Sequence, residues 1–218
     1  MVHYKLRNVL AWEPDSQANV EYFSTIPWCA KIIENPTVTP YSLDFPRRSE
    51  YGGVPVIDGF MHREGAILRH SSFVQHTDTG DIPNVSKDGC AVIDLSQGCF
   101  PIHIDIFALG TNLHAYPRTI YGGMLTLLVD GVCGKAAYMH RDLEMPGYTA
   151  YTNFKFAKPV RTDEDGFATI LVRSQVNRHR SSGAKIIINA QFEGPDGVIY
   201  AIAESMTIEK TVKGFSRL

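Results

Sequence analysis

Between Met124 and Met139 the apolar residues Met124, Leu125, Leu127, Leu128, Val132, Ala136 and Met139 fall on nearly every face of a helical projection. A helix without a continuous polar side is expected to be wrapped by other elements. On either side of it the period changes to two. Ahead of the helix, Phe100 to Leu109 sets Ile102, Ile104 and Ile106 against His103 and Asp105, which predicts a half-buried strand. Behind it, four strand-like runs, Tyr148 to Lys158, Gly166 to Arg178, Ala184 to Glu193 and Val198 to Lys210, are divided by the turn-forming stretches PVRTDEDG, HRSSG and GPDG. The order strand, long buried helix, four strands predicts an α+β domain in which a twisted antiparallel sheet of about five strands wraps around a central helix. Gly131 and Gly134 interrupt that helix at a cost of about 1 kcal/mol each relative to Ala. Close backbone approach to the sheet or to a second copy of the chain would offset it.

The first hundred residues are patterned less regularly. Ser16 is placed to cap a short helix running to Ile26 with Val20 and Phe23 inward; Pro27 breaks it, and Trp28 to Glu34 forms a second helix burying Ile32 and Ile33. Prolines at 36, 40, 46 and 55 and the polar stretches RRSEYGG and HTDTGDIPNVSKDG predict irregular structure, with strands at Ala66 to His76 and Ala91 to Leu95. The expected organisation is an N-terminal extension over 1–99 packed on a core domain over 100–210, with a tail at 211–218.

Composition removes several classes of function. The 218 residues carry 21 basic and 23 acidic side chains with no long block of either sign, which argues against a nucleic-acid groove. No stretch approaches the roughly 18 apolar residues that span a bilayer, and the first residues lack a signal core, so a soluble intracellular protein is expected. Cys29, Cys90, Cys99 and Cys133 form no C-x-x-C pair, so neither a zinc site nor a disulfide frame is expected. The terminal Ser216-Arg217-Leu218 is one conservative step from the Ser-Lys-Leu peroxisomal address, which leaves cytoplasmic and peroxisomal residence both open.

The chemistry-bearing feature is Tyr121-Gly122-Gly123 followed nine positions later by Asp130. A carboxylate in an apolar helix is costly unless paired, and a helix start offers free N–H groups and a dipole that favour developing negative charge. That combination points to acyl chemistry. His103 and Asp105 share a strand face as a metal pair or proton relay would, yet two ligands are too few for zinc. No metal or redox cofactor is expected.

The segment NLHAYPRTIYGGMLTLLVDGVCGKAA, 112–137, resembles the signature of hotdog-fold acyl-CoA thioesterases of the phenylacetyl-CoA type, in particular their fungal branch. TAYTNFKFAKPV at 149–160 is similar to the family's strand after the helix, and EYFSTIPWCAKII at 21–33 to an N-terminal segment of fungal members. The resemblance implies that Asp130 acts as base toward water or as nucleophile, that a backbone N–H at Gly122 or Gly123 holds the carbonyl oxygen, and that Thr149 places the attacking water. Nine helical residues span about 13 Å, too far for both groups to touch one carbonyl, so the site must combine two subunits of a homodimer or dimer of dimers. Both family histidines are tyrosines here, Tyr116 and Tyr121, and the glycine between them is Arg118. A phenol donates a hydrogen bond but is a poor proton acceptor at neutral pH. Arg118 offers a planar fork to a CoA phosphate or a substrate carboxylate. Asn112 and His114, in G-T-N-L-H, resemble part of a hotdog hydratase motif, with Thr111 where that motif has Asp.

Three functions follow from these residues. The first is hydrolysis of an acyl thioester, with Asp130 as base and the Gly122-Gly123 start stabilising charge on oxygen. The second keeps the pocket but makes it a lyase, isomerase or cyclase of a polyketide-like metabolite, using Tyr121 as acid and Asp130 as base. The third is a non-catalytic acyl or metabolite binder. Each residue also has a structural use: Asp130 as a hydrogen-bonded core or seam residue, the glycines as a tight turn, Tyr116 and Tyr121 as packing aromatics, Thr149 as a strand former and Arg118 as a solvated loop residue.

Overall fold

A computed structural model describes residues 4–5, 14–41, 65–75, 92–93, 101–139, 147–177 and 180–209. In chain order the elements are β1 (Tyr4–Lys5), α1 (Pro14–Ser24), α2 (Pro27–Ile33), β2 (Val38–Pro40), β3 (Ile67–Gln75), β4 (Val92–Ile93), β5 (Ile102–Leu109), β6 (His114–Tyr116), β7 (Thr119–Ile120), α3 (Gly122–Met139), β8 (Gly147–Phe156), β9 (Ala168–Val176), β10 (Lys185–Glu193) and β11 (Ile199–Glu209). The Ser216-Arg217-Leu218 tail, Cys90, Cys99 and the two polar stretches lie outside the described residues.

The period-two runs form β5, β8, β9, β10 and β11, and the apolar run forms the 18-residue α3. The main sheet has seven strands in the order β2-β3-β5-β9-β10-β11-β8, with antiparallel neighbours throughout. The GPDG stretch closes β10 onto β11 through Asp196 and Gly197, both at positive φ (58° and 71°), a conformation Asp tolerates and Gly takes without steric cost. A long helix laid on one face of the strands β5-β9-β10-β11-β8 is the hotdog arrangement. β3 and β2, from the N-terminal region, extend the same sheet beyond β5. The first helix begins at Pro14, so Ser16 lies inside it, and the second begins at Pro27, whose missing N–H costs nothing in a first turn.

Two cores result, one on each face. On the helix face Leu125, Leu128, Val129, Val132 and Ala136 pack on Phe107, Leu109, Ile170, Val172, Ile188 and Phe192. On the opposite face Phe23 and Cys29 of the α1–α2 hairpin pack on Phe73, Ile104, Ile106 and Leu171. Each fully buried Phe or Ile contributes about 1.5–3 kcal/mol. The pattern places the β5 isoleucines correctly on one face, but the strand is not half-buried: His103 and Asp105 have no solvent exposure, because α3 covers their face as the hairpin covers the other.

Candidate active site

α3 presents Asp130 and Gly131 to solvent. Asp130 is therefore not the buried carboxylate that the apolar run predicts. The sheet reaches one side of the helix only, and the residues turned to it are Leu128, Val129, Val132, Cys133 and Ala136. Among the described residues a Cβ built on Gly131 or Gly134 meets nothing within 4 Å, so neither glycine permits a close approach to the sheet.

Thr149 of β8 meets Asp130 on this exposed side of α3, its Oγ1 donating to Oδ1 at 2.9 Å. That contact depends on a β-bulge. Along β8, Phe156, Phe154 and Thr152 oppose Ala201, Ala203 and Ser205 of β11; the register then shifts, with Met206 opposite Tyr151 and Thr207 opposite Thr149. Without the extra residue, strict alternation would turn Thr149 away from the helix face. The bulge re-aims the hydroxyl at Asp130. Among the described residues Asp130 has no cation partner. Its charge nevertheless reaches the next turn: the Cys133 thiol is pushed up to about 12, first by burial and then by Asp130 and Asp105, which makes this cysteine inert as a nucleophile.

At the other end of the site, the helix start lies between two aromatic rings. A Cβ on Gly123 would stand 2.4 Å from the Tyr121 ring and 2.9 Å from its hydroxyl oxygen, and one on Gly122 would stand 3.1 Å from the Phe156 ring. Only glycine at both positions lets the rings sit so close. Among the described residues neither the Gly122 nor the Gly123 N–H has an acceptor, as the first turn of a helix requires unless it is capped. Tyr121 is 57% exposed and Phe156 53%, so the amide-lined start opens outward.

The remaining predicted residues are placed apart from this slot. Tyr116, on β6, is 74% exposed. Arg118 takes a positive φ of 58° in the β6–β7 turn, and its Nη2 donates to the Thr162 carbonyl at 3.2 Å, which ties the turn to the loop before β9. The Asn112 side chain lies under Gly65, and the buried Nε2 of His114 has no hydrogen-bond partner among the described residues. The structure thus brings together two separate groups, Asp130 with Thr149 and Gly122-Gly123 with Tyr121. Helical rise keeps them about 12 Å apart within one chain. Sequence reasoning missed Phe156, for which alternation carried no functional signal. It also missed the residue that meets Asp105, although Lys135 inside an apolar helix was a visible sign of a buried anion.

No protein-family model and no curated protein matches the sequence. Similar solved structures include a hypothetical thioesterase from Streptococcus pneumoniae TIGR4 with coenzyme A, at 13% identity, covering 50% of this chain and 81% of that one with a TM-score of 0.43. The E. coli PaaI protein of the phenylacetic acid degradation operon is similar at 13% identity, 50% and 73% coverage and a TM-score of 0.42. The thioesterase HI1161 from Haemophilus influenzae is similar at 9% identity, 53% and 76% coverage and a TM-score of 0.45.

Proposed function

We propose that the chain hydrolyses acyl thioesters as a twin joined along β8, each site combining Asp130 and Thr149 of one copy with the Gly122-Gly123 helix start of the other. The observation that supports this is that Asp130 with Thr149 and the Gly122-Gly123 helix start lie at opposite ends of β8, an edge strand among the described residues. Among the described residues β8 pairs with β11 alone, so its outer edge has no strand partner among them over ten residues. Antiparallel pairing of β8 with its twin over the full strand sets Gly147 against Phe156. The Thr149 end of one strand then lies at the Phe154–Phe156 end of the other, where the second copy's helix start is lodged against Phe156. Thr149, Phe154 and Phe156 all point to the helix face, so the composite cleft forms on that face.

In such a cleft Asp130 takes a proton from water held with Thr149, and the oxygen attacks the thioester carbon. Charge developing on the carbonyl oxygen is met by the free N–H groups of the helix start and by the Tyr121 phenol. The C–S bond then breaks, and the thiolate leaves to be protonated as the acid is released. The test is thiol release from a panel of acyl-CoAs, abolished in Asp130→Asn. Co-assembly of Asp130→Asn chains with Gly123→Leu chains should restore part of the rate, because some interfaces regain one intact site; failure to restore it removes the composite site. The exposed phenol at the helix start also supports a lyase or isomerase with Tyr121 as acid and Asp130 as base. Ligand binding without thiol release, with product formation lost in Tyr121→Phe, would favour that reaction.

A further inference from the structure

The face of the sheet turned away from α3 is covered by apolar packing over part of its width. The cluster under the α1–α2 hairpin takes Phe73 from β3, Ile104 and Ile106 from β5 and Leu171 from β9, and among the described residues it includes none from β10, β11 or β8. Ile102 packs against that cluster. From Ile102 a groove of about 650 Å³ runs across β9, β10 and β11 to Asn153 and Lys155 of β8. Its volume is that of a small-molecule site. The strand register lays out its floor: one row sets Ile202 between Lys155 and Gln191, and the next sets Glu204 between Asn153 and Asn189. These residues alternate with Phe154, Ala190 and Ala203, which belong to the core beneath α3.

A polar outer face is ordinary for an antiparallel sheet, but two of these residues are poorly suited to it. Asn is a weak strand former, yet Asn153 and Asn189 stand inside strands of ten and nine residues. Both are exposed, and among the described residues neither side chain has a hydrogen-bond partner. A local rule broken with no structural gain marks residues that serve something outside the fold. The charged members, by contrast, are tied to one another. Arg173 pairs with Glu193 at 2.9 Å, and Glu204 accepts from the Tyr151 hydroxyl at 2.8 Å and from Arg180. The Tyr151 hydroxyl, and then Arg180, hold the Glu204 carboxyl below its ordinary value, so it stays an acceptor.

We propose that this groove binds an uncharged, hydroxyl-rich ring, a monosaccharide or one unit of a longer saccharide, laid over Ile202 with Asn153 and Asn189 at its rim. Ile202 is 46% exposed and offers an apolar surface for the C–H face of such a ring. The asparagines lie two strand spacings apart, about 10 Å, which brackets one ring with its hydroxyls. Each carboxamide both donates and accepts, as each hydroxyl does. Glu204 between them accepts a further hydroxyl proton. Because Arg173 and Arg180 are already neutralised by Glu193 and Glu204, the floor favours neither a strong cation nor a strong anion, and Lys155 adds N–H donors at the end of its row. The groove lies on the opposite face of the sheet from Thr149 and stands or falls independently of the thioester reading.

Saturation-transfer NMR on the full-length protein, with D-glucose, D-galactose and maltose as probes and D-glucuronate as the charged control, reads the ring C–H protons directly. At least one neutral sugar should receive saturation with a dose dependence that levels off. Asn153→Val and Asn189→Val should each weaken that Kd about fivefold, the loss of one net hydrogen bond. Neither should lower the melting temperature, because Val is the better strand former and no internal partner is lost; a merely structural role would give the reverse pattern. Absence of saturable transfer to all three neutral sugars overturns the proposal, as do equal affinities in the folded parent and both folded Val variants. Binding of glucuronate alone, lost in Lys155→Gln, overturns it as well, by reducing the groove to a contact for an anion.

Discussion

Asp130 and Asp105 lie to either side of α3 and both act on the intervening Cys133, yet their surroundings are opposite. Asp105, beneath the helix, receives an ammonium, an imidazole and a hydroxyl. Asp130, on the exposed flank, receives one threonine hydroxyl and, among the described residues, no cation. A carboxylate that enters the core is stabilised only when a counter-charge comes with it, and α3 delivers Lys135 for that purpose. The one left at the flank has a single neutral donor and stands open to solvent. The helix thus carries an exposed acid on one side and the partner of a fixed anion on the other.

The sharpest way to break this contrast is to neutralise each acid in turn. Asp130→Asn should lower thiol release by about 10²–10⁴-fold, the range of a lost general base, with an unchanged melting temperature. Next in size, Asp105→Ala should cost about 3–5 kcal/mol in urea unfolding, because it strands Lys135 as a buried unpaired charge. Replacing both partners, as Asp105→Leu with Lys135→Met, should recover most of that loss, since apolar side chains of similar volume need no counter-charge. If Asp130→Asn destabilises as much as Asp105→Ala while leaving turnover intact, the two roles have been assigned the wrong way round.

Acid titration separates them more finely. The folded pKa of Asp105 lies below its unfolded value, so its contribution is complete above the ordinary carboxylate range and is lost as pH falls from about 4 toward the lower folded value. Stability measured from pH 5 to pH 2 should therefore decline more steeply in the parent than in the Leu–Met double variant. Smaller again is Thr149→Val. Removing a hydrogen bond worth about 1 kcal/mol should slow thiol release several-fold while leaving the decline of stability between pH 5 and pH 2 unchanged.

The period-two runs and the long apolar run were sufficient to anticipate the strands, the helix and their order, because alternation and helical periodicity report which residues face a core. What they do not report is which core, or how completely it is covered. His103 and Asp105 read as the wet face of β5 because the pattern cannot see that α3 lies on that face and the α1–α2 hairpin on the other. Asp130 read as buried because its helical neighbours are apolar, whereas one sheet can cover only one side of a helix. Thr149 was legible as a candidate through the family resemblance, yet its aim at Asp130 comes from a one-residue register shift that no alternation rule encodes. Gly122 and Gly123 were legible as a helix start. The rings of Tyr121 and Phe156 that frame them are tertiary facts.

Gly134→Ala has the smallest expected effect and bears directly on what covers the open flank. Among the described residues a methyl there meets nothing within 4 Å, so helix propensity alone should act and stability should rise by about 1 kcal/mol, a few degrees in melting temperature. If a second copy or a bound acyl chain packs against this flank, the methyl competes with it: the melting temperature then rises less than propensity predicts, or falls, and does so in proportion to protein or ligand concentration. Measuring Gly131→Ala alongside sets the geometry, because Gly131 adjoins Asp130 and Gly134 lies nearly one turn further on. A penalty at Gly131 with a gain at Gly134 would mean that coverage is confined to the carboxylate. Gains at both would leave Asp130 open to solvent in the assembled protein and remove the twin as the source of its missing partners.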